Sequence, residues 1–245
     1  MGREHFCKFC RTMKDLLQTQ TFDLLVAAGN TGSIVARFTE TIYAHLHLKP
    51  PPTLRIPLFR FLPGHEDDTK HLFDTLHHLP MVIEQLRSLS PLRNVLFVDD
   101  EISRGLTAVS LFRLISEALR QLGRDTVEQF TIVAEDQGFK VPDDCPGMHF
   151  MPFAQEKKGY GNVIFYATPP KLEEPIIRIV GDDDLFAFHK RCSLLLGLPI
   201  KDFNNGMPIF SDSILRTVEK QIPDFPTLQK EYEQFIEESI QQCLS

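Results

Sequence analysis

The chain has 245 residues, of which 42% are hydrophobic and 24% charged, enough apolar material for one substantial core or for a core with an accessory region. Its formal net charge of -7 at pH 7 argues against a general nucleic-acid-binding surface, because such surfaces need clustered Lys and Arg. No apolar run is long enough to span a bilayer and the first residues lack a signal-peptide pattern, so we expect a cytoplasmic globular protein.

The first twenty residues, 1–20, are predicted to form an amphipathic helical extension. Cys7 and Cys10 are the only close pair among five scattered cysteines. A structural zinc site would need two more ligands, and although His5 is near, the chain has no second C-x-x-C, so the helix is the favoured interpretation. Because the cysteine count is odd and the spacing is wide, we expect reduced thiols rather than a disulfide framework.

A strand, a turn and a helix follow. Residues 22–27 have the apolar run of a buried strand, and residues 33–47 have apolar positions at helical spacing. The glycine-bounded turn between them would present backbone amides to a diphosphate, although such turns are also plain connections in other α/β proteins. The turn consists of Ala28, Gly29, Asn30, Thr31 and Gly32, in which Asn30 and Thr31 add side-chain donors.

The next segments are less regular. Residues 53–61 have strand character, and Pro57 indicates an edge strand or a break. Residues 64–70 are polar and rich in charge, and residues 72–89 have a helical pattern. A solvated surface loop is the first interpretation of the polar segment.

Residues 94–107 are the most informative stretch, N-V-L-F-V-D-D-E-I-S-R-G-L-T. The apolar run predicts a buried strand of a parallel sheet, and ligands in open α/β sheets bind just beyond the carboxyl ends of such strands. Asp99 and Asp100 follow the run and are acceptors suited to the vicinal hydroxyls of a ribose. A loop suited to a phosphate then leads into a helix predicted over residues 108–122. The loop residues are Ser103, Arg104, Gly105, Leu106 and Thr107.

This stretch resembles the signature of the type I phosphoribosyltransferases, which usually reads D-D-x-x-T-T-G-x-T and aligns with residues 99–107 without a gap. Glu101 replaces the usual apolar residue and Arg104 a small one, and these departures indicate an unusual acceptor. The D-D-E-I-S variant is similar to divergent orotate-phosphoribosyltransferase-like proteins of bacterial stress gene clusters. Two other interpretations stay open: a strand end with solvated acids, and a magnesium site in a phosphatase-like or response-regulator-like α/β fold.

The resemblance implies an enzyme that uses 5-phosphoribosyl 1-diphosphate. Asp99 and Asp100 would be the catalytic residues and would hold the ribose hydroxyls, while residues 103–107 would bind the 5-phosphate. Residues 28–32 follow the first core strand, where this family has its diphosphate-binding loop, and Mg²⁺ would arrive with the diphosphate near the two aspartates. The polar segment corresponds to a mobile lid that shields the reaction from water. Its candidates for diphosphate contact are His65, Lys70 and His71.

Further strands are predicted over residues 126–135, 148–153 and 162–167. The first leads into Glu135 and Asp136, which either face the acceptor or are ordinary polar residues at a strand end. Aromatic residues near the last of these strands are candidates for stacking on a planar base, or for the core. They are Tyr160 and Phe165.

Beyond these strands the character of the chain changes. Residues 176–180 are the last strand candidate, and the three aspartates at 182–184 fit a helix start better than a cation site. The remainder is predicted to be mostly helical with proline breaks, ending in an amphipathic helix over residues 228–244. The breaks are Pro199, Pro208, Pro223 and Pro226.

The predicted fold is α/β, with an open, mainly parallel sheet flanked by helices in residues 21–180. Residues 181–245 are predicted to be an accessory helical region that packs over the site or forms a homodimer contact. The predicted function is transfer of the phosphoribosyl group to a small-molecule acceptor, a nitrogenous base, with release of diphosphate and no membrane or nucleic-acid partner. The alternatives are a non-catalytic phosphoribosyl-diphosphate or nucleotide-binding regulator and a magnesium-dependent phosphatase.

Overall fold

The computed structural model describes residues 2–58, 76–89, 92–125, 127–155, 164, 170–181, 185–204 and 207–245. The strands of its main sheet are β1 (Leu24–Ala28), β2 (Thr53–Ile56), β3 (Asn94–Ile102), β4 (Gln129–Asp136) and β5 (Met148–Gln155). They pair in the order β2-β1-β3-β4-β5, and every pair is parallel. The predicted α/β fold with a mainly parallel sheet is therefore confirmed.

Helices cover both faces of this sheet. They are α1 (Gly2–Thr19), α2 (Gly29–His45), α3 (Leu79–Arg87), α4 (Leu106–Gln121), α5 (Pro170–Val180), α6 (Leu185–Leu195), α7 (Ser213–Gln221) and α8 (Phe225–Leu244). One apolar core joins the sheet to α1, α2 and the helices from α5 onward, and a second core on the opposite face contains α3 and α4. Leu25 of β1 lies in the first core and Val26 in the second. Strands buried on both faces have unbroken apolar runs, which explains why the sequence predicts β1 and β3.

The strand order reverses between β1 and β3. The chain passes from β1 through α2 to β2 on one side, and β3 then lies on the other side of β1. The helices that follow β1 and β3 lie on opposite faces of the sheet. In open α/β sheets this arrangement leaves a crevice at the carboxyl ends of the two strands, and ligands bind there. Both loops singled out in the sequence follow these two strands.

Several predicted elements are found where the sequence places them. β2 ends at Ile56, directly before Pro57, and lies at the edge of the described sheet, as that proline indicates. The helix predicted over residues 72–89 includes α3, and the strands predicted over 126–135 and 148–153 correspond to β4 and β5.

The strand predicted over residues 176–180 is wrong, because these residues belong to α5. Consecutive β-branched residues favour a strand. However, Leu172, Ile176 and Ile179 are spaced four and three residues apart, which places them on one side of a helix. Ile176 is fully buried in the first core and the other two pack against it. Tertiary burial of this apolar side therefore overrides the local preference.

A β-hairpin is also present where the sequence predicts mostly helix. Its strands are β6 (Ile200–Asn204) and β7 (Met207–Ser211), which pair antiparallel with Lys201 opposite Phe210. Pro208 lies within β7, and Pro226 lies in the first turn of α8, where a missing N–H breaks no helical bond. These two prolines are therefore compatible with the elements that contain them. α8 covers the predicted terminal amphipathic helix.

A disulfide joins α1 to α8, so the expectation of reduced thiols is wrong for this pair. Cys7 is bonded to Cys243 across a sequence separation of 236 residues. Beside it, Arg11 Nε donates a hydrogen bond to the carbonyl of Cys243, and Lys14 Nζ donates to that of Leu244. Cationic side chains at a helix C-terminus satisfy its last carbonyls and its dipole. α1 and the end of α8 are thus held by covalent, polar and apolar contacts.

Some predictions concern residues that the structure does not describe. The lid candidates His65, Lys70 and His71, the aromatic residues Tyr160 and Phe165, and the aspartates 182–184 lie outside the described residues. Of the strand predicted over 162–167, only Ile164 is described, a buried residue in helical conformation. Among the described helices, none has both the length and the apolar character needed to cross a membrane.

Removing the disulfide is expected to destabilise the fold. A Cys7→Ser/Cys243→Ser variant should lose about 2–5 kcal/mol of unfolding free energy, because the bond closes a very long loop in the unfolded chain. Guanidinium unfolding at neutral pH measures this loss. Dithiothreitol should lower the midpoint of the wild type and leave that of the variant unchanged. A wild-type midpoint insensitive to the reductant would contradict the stabilising role.

Candidate functional site

The two aspartates of the signature lie within a bulge near the carboxyl end of β3. The strand continues past Val98 to Ile102, and its register with β4 shifts between Val98 and Glu101. The N–H of Asp100 donates to Asp99 Oδ1 at 3.0 Å, and the N–H of Glu101 donates to Asp100 Oδ1 at 2.9 Å. Bulges of this kind redirect side chains near functional sites. The two carboxylates are therefore fixed by the backbone that follows them.

The predicted phosphate loop, residues 103–107, is shorter than expected, because α4 begins at Leu106. Gly105 is the N-cap residue of this helix, with φ +70° and no side-chain hydrogen bond to the first helical amides. The first amides of a helix have no intrahelical acceptor. Ser103 and Arg104 are exposed, and Thr107 is half-buried. A helix start with this geometry is suited to an anion.

Gly105 is required by space as well as by backbone conformation. A Cβ added there would lie 2.0 Å from Cε2 of Phe139, in the turn after β4. Asp136 Oδ1 holds that turn by accepting from the N–H groups of Gly138 and Phe139. The phosphate loop is thus packed against the end of the neighbouring strand.

The predicted diphosphate turn is the first turn of a helix. α2 begins at Gly29, four residues before the predicted helix start. Gly29 has φ +59°, and a Cβ there would lie 3.2 Å from the carbonyl oxygen of Leu58. At Gly32 a Cβ would lie 3.4 Å from the carbonyl carbon of Ala27 and 3.5 Å from the carbonyl oxygen of Val98. Gly29 thus permits a close approach of α2 to the segment after β2, whereas a Cβ at Gly32 would make ordinary van der Waals contacts. Gly32 lies beside Val98, the residue that precedes Asp99.

Asn30 and Thr31 contact protein groups in this structure. Asn30, which is buried, accepts a hydrogen bond at Oδ1 from the N–H of Lys201 at 2.7 Å. Thr31 Oγ1 is hydrogen-bonded to Nδ1 of the buried His189 at 3.3 Å. Both side chains were candidates for ligand donors, and here they dock β6 and α6 on the start of α2. The amides of this turn are therefore better placed than these two side chains to bind an anion.

Lys201 lies beside the start of α2, and the sequence does not single it out. Its Nζ donates to the carbonyl oxygen of Leu58 at 3.2 Å and lies 3.9 Å from the position of a Cβ at Gly29. Burial, and secondarily the charge of Lys190, lowers the pKa of Lys201 to about 8 from the usual 10.5. No local pattern identifies this lysine, because its segment is predicted to be helical and lies far along the chain from the two loops.

Two buried glutamates lie at the carboxyl ends of β3 and β4. Glu101 and Glu135 are register partners in the sheet and are 6% and 1% exposed. Glu101 Oε2 accepts from Gln137 Nε2, and Glu135 Oε2 is hydrogen-bonded to Nδ1 of the buried His5, both at 3.1 Å. These contacts place each carboxylate against protein groups. They also show how Glu101, which replaces an apolar residue of the signature, is accommodated.

The donor set for a metal is limited. Among the described residues, no group of three or more His, Cys, Asp or Glu side chains is arranged to hold a metal ion.

No protein-family model matches the chain, and no curated protein matches its sequence. Interpretation of the site therefore depends on its geometry and on the residues of the 94–107 stretch.

Gly105→Ala tests the packing of the phosphate loop. The substitution should cost about 2–4 kcal/mol of unfolding free energy, because it combines backbone strain with a clash against Phe139. Gly123→Ala is the matched control: it has nearly the same φ, +66°, and nothing within 4 Å of an added Cβ, so only the strain of about 1–2 kcal/mol applies. Chemical denaturation measures the loss of unfolding free energy in both variants. Equal losses would show that the contact with Phe139 adds no cost at residue 105.

Proposed function

We propose that this protein binds 5-phosphoribosyl 1-diphosphate at the crevice between β1 and β3 and transfers its phosphoribosyl group to a nitrogenous small-molecule acceptor. One juxtaposition supports the proposal most strongly: the start of α2 lies against Val98, directly before the two aspartates and the glycine-capped start of α4. Two helix starts, each suited to a phosphate group, thus flank a pair of carboxylates suited to a diol.

The two ends of the ligand have separate partners in this proposal. The ribose hydroxyls donate to Asp99 and Asp100. The 5-phosphate accepts from the first amides of α4, with hydroxyls from Ser103 and Thr107 and the exposed charge of Arg104 beside it. In this assignment the 5-phosphate lies at the start of α4, the ribose at the end of β3 and the diphosphate at the start of α2.

The diphosphate binds at the start of α2 in this proposal. Residues 29–32 form the first turn of that helix, whose amides have no intrahelical acceptor. The side chains of Asn30 and Thr31 are engaged by β6 and α6, so we assign the diphosphate contacts to backbone N–H groups. This refines the prediction from the sequence, which includes those side chains.

The chemistry is a substitution at the anomeric carbon. The bond from C1 of the ribose to diphosphate breaks as the bond from the acceptor nitrogen forms, and the ribose gains oxocarbenium character between the two. The proton lost by the acceptor nitrogen passes to the departing diphosphate. Asp99 and Asp100 hold the ribose and stabilise its positive charge, so the protein contributes mainly positioning and electrostatics. Bound Mg²⁺ would neutralise negative charge on the leaving diphosphate. Asp99 and Asp100 are the carboxylates that would complete its coordination.

A binding protein that does not catalyse transfer is the second candidate. The observation that favours it concerns Glu135 and Asp136, the two acids that the sequence offers as candidates to face the acceptor. Glu135 is bonded to His5, and Asp136 holds the turn at Gly138 and Phe139. Both carboxylates are thus engaged by protein groups, which favours a site without a catalytic base. Ligand binding without diphosphate release would support this version of the site.

Titration calorimetry with phosphoribosyl diphosphate and Mg²⁺ tests the proposal. Asp99→Asn/Asp100→Asn keeps the Oδ1 atoms that accept from the backbone while removing both charges, so it should fold and bind the ligand at least about tenfold more weakly. Asp143→Asn/Asp144→Asn is the matched control, since it neutralises two adjacent exposed aspartates. Asp144 forms a surface ion pair with Arg113 and accepts from Cys145 Sγ, and an exposed ion pair of this kind contributes little to stability.

The outcomes separate the alternatives. No binding to the wild type would contradict both the transferase and the regulator. If the Asp99→Asn/Asp100→Asn variant and the Asp143→Asn/Asp144→Asn control weakened binding equally, the ligand would lie away from β3. If binding follows the expected pattern, a diphosphate-release assay across a panel of nitrogenous bases distinguishes catalysis from binding alone.

A further inference from the structure

Lys201 brings a positive charge from the C-terminal hairpin to the start of α2. The backbone of β6 is anchored there, since the N–H of Lys201 donates to Asn30 Oδ1. The side chain then extends past Gly29, and its Nζ donates to the carbonyl of Leu58, two residues beyond the end of β2. The ammonium therefore lies where the carboxyl ends of β1 and β2 meet the first turn of α2.

Several groups around the ammonium of Lys201 carry positive charge. The N-terminus of α2 carries the positive end of a helix dipole. The charge of Lys190 is close enough to act on Lys201, and burial of the ammonium adds a desolvation cost, so the pKa of Lys201 falls to about 8. At neutral pH the amine still carries its proton. Each of these positive groups would be stabilised by an anion that binds between them.

We infer that Lys201 is a further ligand-binding residue of this site, whose ammonium donates to the diphosphate group at the start of α2. The inference rests on the proposed function, since it takes the diphosphate end of the ligand to lie at residues 29–32. An ammonium has three donors, so the bond to Leu58 is compatible with donation to a phosphate oxygen. The hairpin thereby belongs to the binding site as well as to the fold.

A purely structural role and a ligand-binding role for Lys201 predict opposite effects of its replacement on stability. If the side chain served only to anchor the hairpin on Leu58, its loss would destabilise the fold, and any loss of binding would follow from that. The lowered pKa of Lys201 instead predicts that replacing its charge increases the stability of the fold. Because the folded-state pKa lies below 10.5, the ammonium opposes folding below about pH 8, and this cost fades as the pH rises toward 10.5. Replacing the charge with an apolar side chain of similar length should therefore raise stability at pH 7.

The experiment compares binding and melting of Lys201→Met, Lys201→Arg and Lys220→Met at pH 7. The probes are inorganic diphosphate with Mg²⁺ and phosphoribosyl diphosphate with Mg²⁺, measured by calorimetry. Lys201→Met should weaken inorganic diphosphate binding about ten- to a hundredfold while its melting temperature is equal to or above that of the wild type. Lys201→Arg should retain most of the affinity. Lys220 is exposed on α7, so its replacement should leave affinity unchanged.

The possible failures are distinguishable. Unchanged diphosphate affinity in Lys201→Met, or weaker binding accompanied by a lower melting temperature, would overturn the role of Lys201 and leave the phosphoribosyl site standing. Wild-type binding of inorganic diphosphate but not of phosphoribosyl diphosphate would contradict the proposed function, and weaker binding of inorganic diphosphate by Lys201→Met would still support Lys201 as an anion-binding residue. A wild type that binds neither probe would overturn both.

Discussion

The close packing of α2 against β1 and β3 is the contact on which the site depends. Gly32 has no side chain, and the space that a Cβ would occupy lies within 3.5 Å of the backbone of Ala27 and Val98. These distances are ordinary van der Waals contacts, so the backbone of α2 lies at contact distance from the sheet where the turn after β1 begins. Since the same carbonyl of Val98 precedes the two aspartates, this approach also sets the distance between the two halves of the crevice. A packing constraint thus produces a binding geometry.

The carboxyl edge of the sheet carries several buried polar groups, and their partners come from distant parts of the chain. Glu135 is held by His5 of α1, and Asn30 by the backbone of Lys201 in β6. Burying such groups is costly unless they are hydrogen-bonded, so the fold must supply these partners. The Cys7–Cys243 disulfide joins α1 to α8, and both helices pack in the same core. The terminal segments of the described structure therefore support the site rather than forming a separate layer.

The sequence predicts the elements that are determined by local pattern. β3 and α4 follow from an apolar run and from helical periodicity, and Pro57 correctly indicates where β2 ends. The start of α2 differs from the prediction because Gly29 and Gly32 resemble turn residues, whereas both lie in the first turn of the helix, where Gly29 has φ +59° and a tight contact with Leu58. Residues 176–180 look like a strand until their burial on one side of α5 is known. Lys201, His189 and the disulfide have no local signal at all, since each acts through a contact with residues more than a hundred positions away.

A crystal structure of the protein with phosphoribosyl diphosphate and Mg²⁺ tests the central claim most directly. The account predicts the ribose hydroxyls on Asp99 and Asp100, and the 5-phosphate within about 3 Å of the first amides of α4. It also predicts the diphosphate on the first turn of α2, beside Lys201. A ligand bound away from the crevice between β1 and β3, or bound there with neither aspartate in contact with the ribose, would contradict the account.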